Sequence, residues 1–215
     1  DRAYVYWPPF EPGDQYPRHW RRKVEAPADG PADELIVDEP ALAEGLDYFR
    51  LGGVAISNDD RLLAYAIDDN GSERYTVRIK DIATGEMLSD IIPDVLSALV
   101  WTKDDKALVY APANAQWRTD RAMLHRLGTD ASDDIELYHE DDEGFRVSVG
   151  LTSAENYIVL ATGDHVTGEV RLVPAGDPTA PAILVSARVD EREYDVDEHE
   201  GWLYIRTNDT HSNFR

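Results

Sequence analysis

A recurring polar turn constrains this chain more than any other feature. It occurs at Ser57-Asn58-Asp59-Asp60-Arg61, Thr102-Lys103-Asp104-Asp105-Lys106, Thr152-Ser153-Ala154-Glu155-Asn156 and Asp197-Glu198-His199-Glu200-Gly201, with starts 45, 50 and 45 residues apart. Short β-prone runs precede each turn (53–56, 99–101, 147–151, 194–196) and follow it (62–66, 107–111, 157–161, 202–205). Two such runs around a tight polar turn predict a hairpin. A third run follows at 75–79, 122–127 and 169–173. Tyr75-Thr76-Val77-Arg78-Ile79 shows its alternation, the pattern of a half-exposed strand. Turns at Ala83-Thr84-Gly85, Gly128-Thr129-Asp130 and Gly176-Asp177-Pro178 lead to fourth runs at 88–92, 135–138 and 183–185. Four strands in each period of this length predict the blade of a β-propeller.

The first fifty residues read as a looser copy. Tyr4-Val5-Tyr6-Trp7, the turn Glu11-Pro12-Gly13-Asp14 and the run 16–22 form a hairpin whose turn lies 46 residues before Ser57, which predicts a first-to-second-strand turn in register. A Pro- and Gly-rich loop over 26–31 and a strand over 34–37 follow. Asp38 to Gly45 predicts a helical turn, with Asp38 as cap, Pro40 in the first turn and Gly45 as the stop. Residues 213–215 read as the opening of a third strand in a fifth unit. The expectation is all-β: one partial propeller domain of about four four-stranded blades (1–46, 50–93, 95–140, 145–190) plus part of a fifth (192–215).

Charge narrows the partners. The chain carries 43 acidic and 21 basic residues, a formal charge of −22. Such a surface repels phosphate backbones and anionic membranes, so neither nucleic acid nor membrane is an expected partner. It concentrates cationic ligands such as Arg- or Lys-containing peptides, although solubility or adaptation to salty cytosol accounts for the same excess. With no cysteine there is no disulfide, thiol chemistry or Cys-bound metal, which suits a reducing, cytoplasmic location. No apolar run approaches the ~20 residues of a membrane-spanning helix. The opening Asp1-Arg2-Ala3-Tyr4 has neither Met nor a signal pattern, and predicts a start inside something larger.

No Gly-x-Ser-x-Gly elbow and no Gly-rich phosphate loop occurs, so neither a catalytic residue nor a cofactor site is expected in these 215 residues. The six His are scattered. His199, among Asp197, Glu198 and Glu200, reads as part of a solvated turn rather than a metal site. Asp68-Asp69-Asn70-Gly71-Ser72 lacks the Glu that closes a calcium loop and predicts a type I′-like turn. Asp141-Asp142-Glu143 predicts a solvated connection. Trp7, Trp20, Trp101, Trp202, Tyr65 and Tyr110 fall in β-runs, as large rings packed between blades would.

Along its whole length the chain carries stretches of one family in collinear order. They are Glu11-Pro12-Gly13, Leu51-Gly52-Gly53-Val54-Ala55-Ile56-Ser57, Gly71-Ser72-Glu73-Arg74-Tyr75-Thr76-Val77-Arg78-Ile79-Lys80-Asp81, Thr84-Gly85-Glu86, His125-Arg126-Leu127-Gly128-Thr129, Ser148-Val149, Gly168-Glu169-Val170-Arg171-Leu172, Glu193-Tyr194-Asp195-Val196-Asp197 and Thr207-Asn208-Asp209. With these it resembles the oligopeptidase B group of the prolyl oligopeptidase family of serine peptidases. The resemblance implies a seven-bladed propeller over a C-terminal α/β-hydrolase domain, which holds the family's triad, oxyanion donors and acidic pocket; none of these maps onto residues 1–215. Where the family has a longer stretch between the second and third strands of its first blade, this chain has the short loop Pro27 to Pro31.

The resemblance further implies hydrolysis of short cationic peptides after Arg or Lys by the parent protein, with these blades walling off the active site. Asp47, in a between-blade loop of the family pattern, is the candidate for contact with the hydrolase domain. A stand-alone propeller that binds proteins or peptides is the competing class, because propellers host unrelated functions. An incomplete ring leaves an open edge and an uncovered apolar face, so self-association is expected.

Overall fold

The computed structural model describes residues 3–27, 32–211 and 213–215, with the backbone alone at Ser97. The Pro27 to Pro31 loop therefore lies outside the described residues beyond Pro27. The protein is all-β, 50% strand and 4% helical. Sixteen strands are described: β1 Tyr4–Trp7, β2 Arg18–Lys23, β3 Glu34–Asp38, β4 Arg50–Ile56, β5 Leu62–Asp68, β6 Tyr75–Asp81, β7 Met87–Trp101, β8 Ala107–Pro112, β9 Arg121–Arg126, β10 Ile135–His139, β11 Arg146–Leu151, β12 Tyr157–Gly163, β13 Gly168–Pro174, β14 Ile183–Leu184, β15 Tyr194–His199 and β16 Trp202–Thr207. One short α-helix, α1 Glu39–Ala43, follows β3, and a single 3-10 turn, Ala131–Asp133, lies between β9 and β10.

The strands pair antiparallel with their sequence neighbours in sheets of three (β1 to β3), seven (β4 to β10), four (β11 to β14) and two (β15 and β16). The seven-stranded sheet corrects the reading of 88–92 and 99–101 as separate strands. They are two ends of β7, whose first part pairs with β6 (Val77 with Ile92) and whose last part pairs with β8 (Val100 with Val109). Val95 pairs with Tyr75 on one side and Pro112 on the other, so one strand closes one group of four and opens the next.

Face-to-face packing stacks these groups in chain order. Ile36 and Val37 meet Leu63 and Tyr65. Tyr75, Val77 and Ile79 meet Trp101, Leu108 and Tyr110. Val109 and Leu124 meet Val147, Val149, Ile158 and Leu160, and Val170 and Leu172 meet Tyr194. The β6 alternation buries Tyr75, Val77 and Ile79 on one face, as predicted. Each fully buried Leu or Ile contributes roughly 1.5–3 kcal/mol of burial. Trp101 crosses between groups, donating its indole N–H to the Ala55 carbonyl at 3.0 Å. Gly52 makes room for this packing, since a Cβ there would fall 2.3 Å from the Tyr75 ring.

The recurring turns join first and second strands: β4 to β5, β7 to β8, and β11 to β12. In each, a buried hydroxyl residue opens the turn. Ser57 Oγ, Thr102 Oγ1 and Thr152 Oγ1 accept from the amides of Leu62, Ala107 and Tyr157 at 2.8, 3.1 and 3.2 Å. The fourth residue takes left-handed backbone, at φ 60° (Asp60), 56° (Asp105) and 56° (Glu155). The last turn differs from its prediction. β15 runs through His199, and only Glu200 and Gly201, both at positive φ, make the turn, the geometry of a two-residue hairpin.

The first sheet also departs from prediction. Tyr6 Oη donates to Asp60 Oδ1 at 3.0 Å, and Arg21 donates to the Asp60 carbonyl. The loop 8–17 reaches the opposite end, where Tyr16 meets Phe49 edge-on at 5.3 Å. β1, β2 and β3 thus run in the directions of the second, third and fourth strands of the next group, and Glu11 to Asp14 is not a first-to-second-strand turn. A repeat spacing fixes a period but not which strand pair a hairpin occupies. The helical turn does form, with Ala41 N–H donating to Asp38 Oδ1 at 3.3 Å, Pro40 in the first turn and Gly45 at φ +77°. At the other end Arg215 exchanges two backbone hydrogen bonds with Thr207, at 2.9 and 3.1 Å, which places it where a third strand of that group would begin.

Candidate functional site

The strand directions give the molecule two rims. One, the turn rim, carries the recurring turns. The other, the crossover rim, carries the β5–β6, β8–β9 and β12–β13 loops and every connection from one group of strands to the next.

At the turn rim, each group grips the one before it. Asp105 accepts from the Asn58 amide (2.7 Å), the Asn58 side chain (2.6 Å) and the Asp59 amide (3.0 Å). Asp197 accepts from the Ser153 amide at 2.6 Å and its hydroxyl at 2.5 Å, and buried Glu198 takes the Asn156 side chain at 2.8 Å. The Ser153 hydroxyl and then its amide hold the Asp197 carboxyl below the ordinary range. The hydroxyls of Ser57 and Thr102 do the same, as the largest cause, for Asp59 and Asp104. Further out, buried His125 has a carboxylate at each ring nitrogen, Asp134 at 2.7 Å and Asp90 at 3.0 Å, tying β9 to β7. Asp134 also accepts from Tyr110 Oη at 2.7 Å.

Between the rims, first strands face a common space. Val54, Ile56, Leu99, Trp101 and Leu151 join Trp7 and Trp20 around a cavity of about 430 Å³. A second, polar cavity of about 550 Å³ opens at the turn rim between Ser57, Asn58 and Asp60 on one side and Ser153 and Glu155 on the other. Tyr6 stands between them, its phenol pushed up to about 12 by burial and then by the Asp60 hydrogen bond. Groups separated in sequence by nearly 100 residues thus surround one axis, and its mouth at the turn rim is acidic.

The crossover rim is built around Asp68, which is 1% exposed. Its carboxylate accepts from the amides of Asn70, Gly71, Ser72 and Glu73, at 2.7 to 3.2 Å. Burial raises the Asp68 pKa, but the four N–H groups together outweigh it and hold the carboxyl below its ordinary value. The predicted type I′-like turn is therefore a longer loop wrapped on one carboxylate. Next to it Arg74 pairs with Asp94 at 3.0 Å, donates to the Asn114 carbonyl at 2.6 Å, and lies 4.7 Å from the Trp117 ring centre. Trp117 sits at φ +61°, unusual for a bulky residue. Asn114 holds it there: its side-chain oxygen accepts from the Gln116 and Arg118 amides at 2.9 and 3.1 Å, and its carbonyl accepts from Trp117 N–H at 3.1 Å.

Asp47 is exposed in the segment between α1 and β4, on this same rim, and has no cation within ion-pair distance among the described residues. Neighbouring Tyr48 lies over Gly71. His199 is exposed at the end of β15, while Asp197 and Glu198 beside it turn to the preceding group instead of a cation. Of the predicted packing aromatics, Trp101, Tyr65 and Tyr110 are buried, and Trp202 is 72% exposed. Sequence reading missed the roles of Asp68, Asp105 and Trp117. Asp105 was findable, since acids recur at one position of the turns; Trp117 carried no signal because its loop has no repeat partner.

With this geometry in place, comparison with known proteins decides the family. The family described as prolyl oligopeptidase, N-terminal beta-propeller domain, matches residues 1–215. The chain belongs to that family. It is 34% identical to dipeptidyl aminopeptidase BI of Pseudoxanthomonas mexicana over all of this chain and 32% of that protein, and 29% identical to protease 2 of Moraxella lacunata over 99% and 31%. Among solved structures it is similar to oligopeptidase B from Leishmania major (TM-score 0.93, 25% identity, 99% of this chain and 30% of that one). It is also similar to oligopeptidase B from Trypanosoma brucei with covalently bound antipain in a closed form (TM-score 0.88, 25% identity, 97% and 29%). The prolyl oligopeptidase propeller assignment agrees with the all-β, curled-sheet architecture. The chain spans about a third of the length of these relatives.

Proposed function

We propose that this chain is the substrate-gating propeller portion of a serine oligopeptidase that hydrolyses short peptides after Arg or Lys, and that residues 1–215 alone have no catalytic activity. The observation that carries the reading is the pair of cavities on one axis, the inner one walled by first strands and the outer one opening at the turn rim, where Asp60 and Glu155 make an acidic mouth. A narrow acidic passage admits an extended cationic peptide and turns away a folded protein. Catalysis is assigned to a C-terminal hydrolase domain by acyl-enzyme chemistry, and Asp47 to contact with that domain. The test is cleavage of chromogenic peptides ending in Arg, Lys or Pro by the full-length gene product and by residues 1–215. Cleavage after Arg and Lys by the full-length protein alone supports the proposal; a preference for Pro, or activity in residues 1–215, contradicts it. An Asp47→Ala variant of the full-length protein with unchanged kinetics would remove the contact assigned to Asp47.

We also propose that residues 1–215 self-associate when isolated, through the last, two-stranded sheet. Trp202 and Tyr204 are 72% and 57% exposed there, and the sheet ends at β16 apart from the Thr207–Arg215 contact. Raising salt screens the −22 charge and strengthens the association. A strictly monomeric mass in light scattering at high salt contradicts it.

A further inference from the structure

Six Asn occur in the chain, and only Asn70 is followed by glycine. That pair is chemically unstable in a flexible chain, because a glycine leaves the next backbone nitrogen unhindered and its backbone mobile. Gly71 loses its amide proton to solvent base, and its nitrogen attacks Asn70 Cγ. The N–Cγ bond forms, the Cγ–Nδ2 bond breaks, and the side-chain nitrogen leaves as ammonia. Water then opens the five-membered imide at either carbonyl, giving Asp or isoaspartate at position 70.

The fold places this pair in the loop that Asp68 organises. Both residues are exposed, so water and base reach them. Each reacting group is nevertheless engaged. The Gly71 N–H, which must be lost before attack, donates to Asp68 Oδ1 at 2.9 Å. The Asn70 N–H donates to the same oxygen at 3.1 Å and the Glu73 N–H to Oδ2 at 2.7 Å, so the backbone is pinned on both sides. Asn70 Oδ1 accepts from the Ser72 N–H at 2.9 Å, and Asn70 Nδ2 donates to Asp69 Oδ1 at 3.3 Å. Gly71 sits at φ +77° beside the Tyr48 ring. Attack therefore requires the Gly71 nitrogen to leave the carboxylate and the loop to rearrange. A carboxylate this close also opposes the negative charge that grows on the nitrogen. Asp68 is itself a poor acceptor for the proton, since its four N–H donors hold its carboxyl below the ordinary value.

We propose that Asn70–Gly71 is a deamidation site guarded by Asp68, stable while the loop is wrapped on that carboxylate and converted to Asp or isoaspartate when the wrap opens. The product keeps the loop open. Isoaspartate adds one carbon to the main chain between residues 70 and 71, which moves the amides of Gly71, Ser72 and Glu73 out of register with Asp68. Both products add a carboxylate to a loop that already carries Asp68, Asp69 and Glu73, and like charges repel. The loop thus holds a chemical record of its own opening.

Peptide mapping by mass spectrometry tests the proposal, after incubation of the full-length gene product at mildly alkaline pH. The readout is the gain of one mass unit, with isoaspartate, in the peptide that contains Asn70. Wild type is expected to convert at least about tenfold more slowly than a synthetic peptide of residues 66–76, as groups protected by local structure do. Asp68→Ala is expected to bring the rate to within about threefold of that peptide. Equal rates in wild type and peptide overturn the guard. So does an Asp68→Ala protein that converts more slowly than wild type, which would make Asp68 the base that promotes attack. If Asp68→Ala does not fold, Asp68→Asn takes its place; it keeps an acceptor oxygen without the charge and is expected to fall between wild type and peptide. A mass gain that survives Asn70→Gln lies at another residue and overturns the site.

Discussion

The two rims are made by opposite ends of the same strands, yet they differ in what their polar groups do. At the turn rim, carboxylates reach across to the preceding group: Asp105 to the Asn58 turn and Asp197 to the Ser153 turn. At the crossover rim, the deepest carboxylate, Asp68, serves its own loop, and the loop tips carry apolar side chains outward. Both ends carry ties between groups, since buried Glu140 takes Arg188 at the crossover rim; the difference is that the turn rim makes its ties from the recurring turns themselves, whereas the crossover rim commits its most buried carboxylate to a single loop.

The largest expected effect comes from the crossover rim. Asp68→Ala removes a buried carboxylate that organises four half-buried backbone donors and is expected to cost about 2–3 kcal/mol in urea unfolding. The pH dependence follows from the same carboxyl. Its folded pKa is depressed, so its contribution is fully present above the ordinary carboxylate range near ~4 and is lost as pH falls through the folded value. Asp68→Ala should therefore show a shallower acid arm than wild type; parallel acid arms would mean that Asp68 does not organise this loop.

A smaller effect is expected at the turn rim. Asp105→Ala removes the acceptor for three N–H groups that solvent can partly reach, and places Ala on left-handed backbone, for a cost of about 1–2 kcal/mol. A loss as large as that of Asp68→Ala would erase the distinction between a clasp and a buried loop centre. The smallest effect is expected at Trp117. Glycine accepts φ +61° without strain, so Trp117→Gly should leave unfolding of residues 1–215 within about 1 kcal/mol of wild type. A large loss would show that Trp117 holds this domain together instead of facing outward.

Much of this was legible in the sequence. The polar turns at Ser57, Thr102 and Thr152, the alternation over 75–79 and the cap-and-stop pattern from Asp38 to Gly45 each rest on local chemistry, and each formed as read. What escaped depended on phase and distance. The hairpin around Glu11 to Asp14 has the right period but opposite direction to the first-to-second-strand hairpins, because nothing in a β-run reveals which strand of a group it is. The continuity of β7 was hidden by Pro93 and Asp94, which look like a break, while Asp94 at φ 59° bends the strand without ending it. Asp105 and Asp197 looked like turn acids, and their partners lie 44 to 47 residues away.

Hydrogen exchange in residues 1–215 tests the contrast between the rims most directly. Asp105→Ala is expected to speed exchange at the Asn58 and Asp59 amides of the preceding group, and Asp68→Ala to speed it only at the amides of residues 70–73. No change at Asn58 and Asp59, or an Asp68→Ala effect that spreads into neighbouring groups, would contradict it.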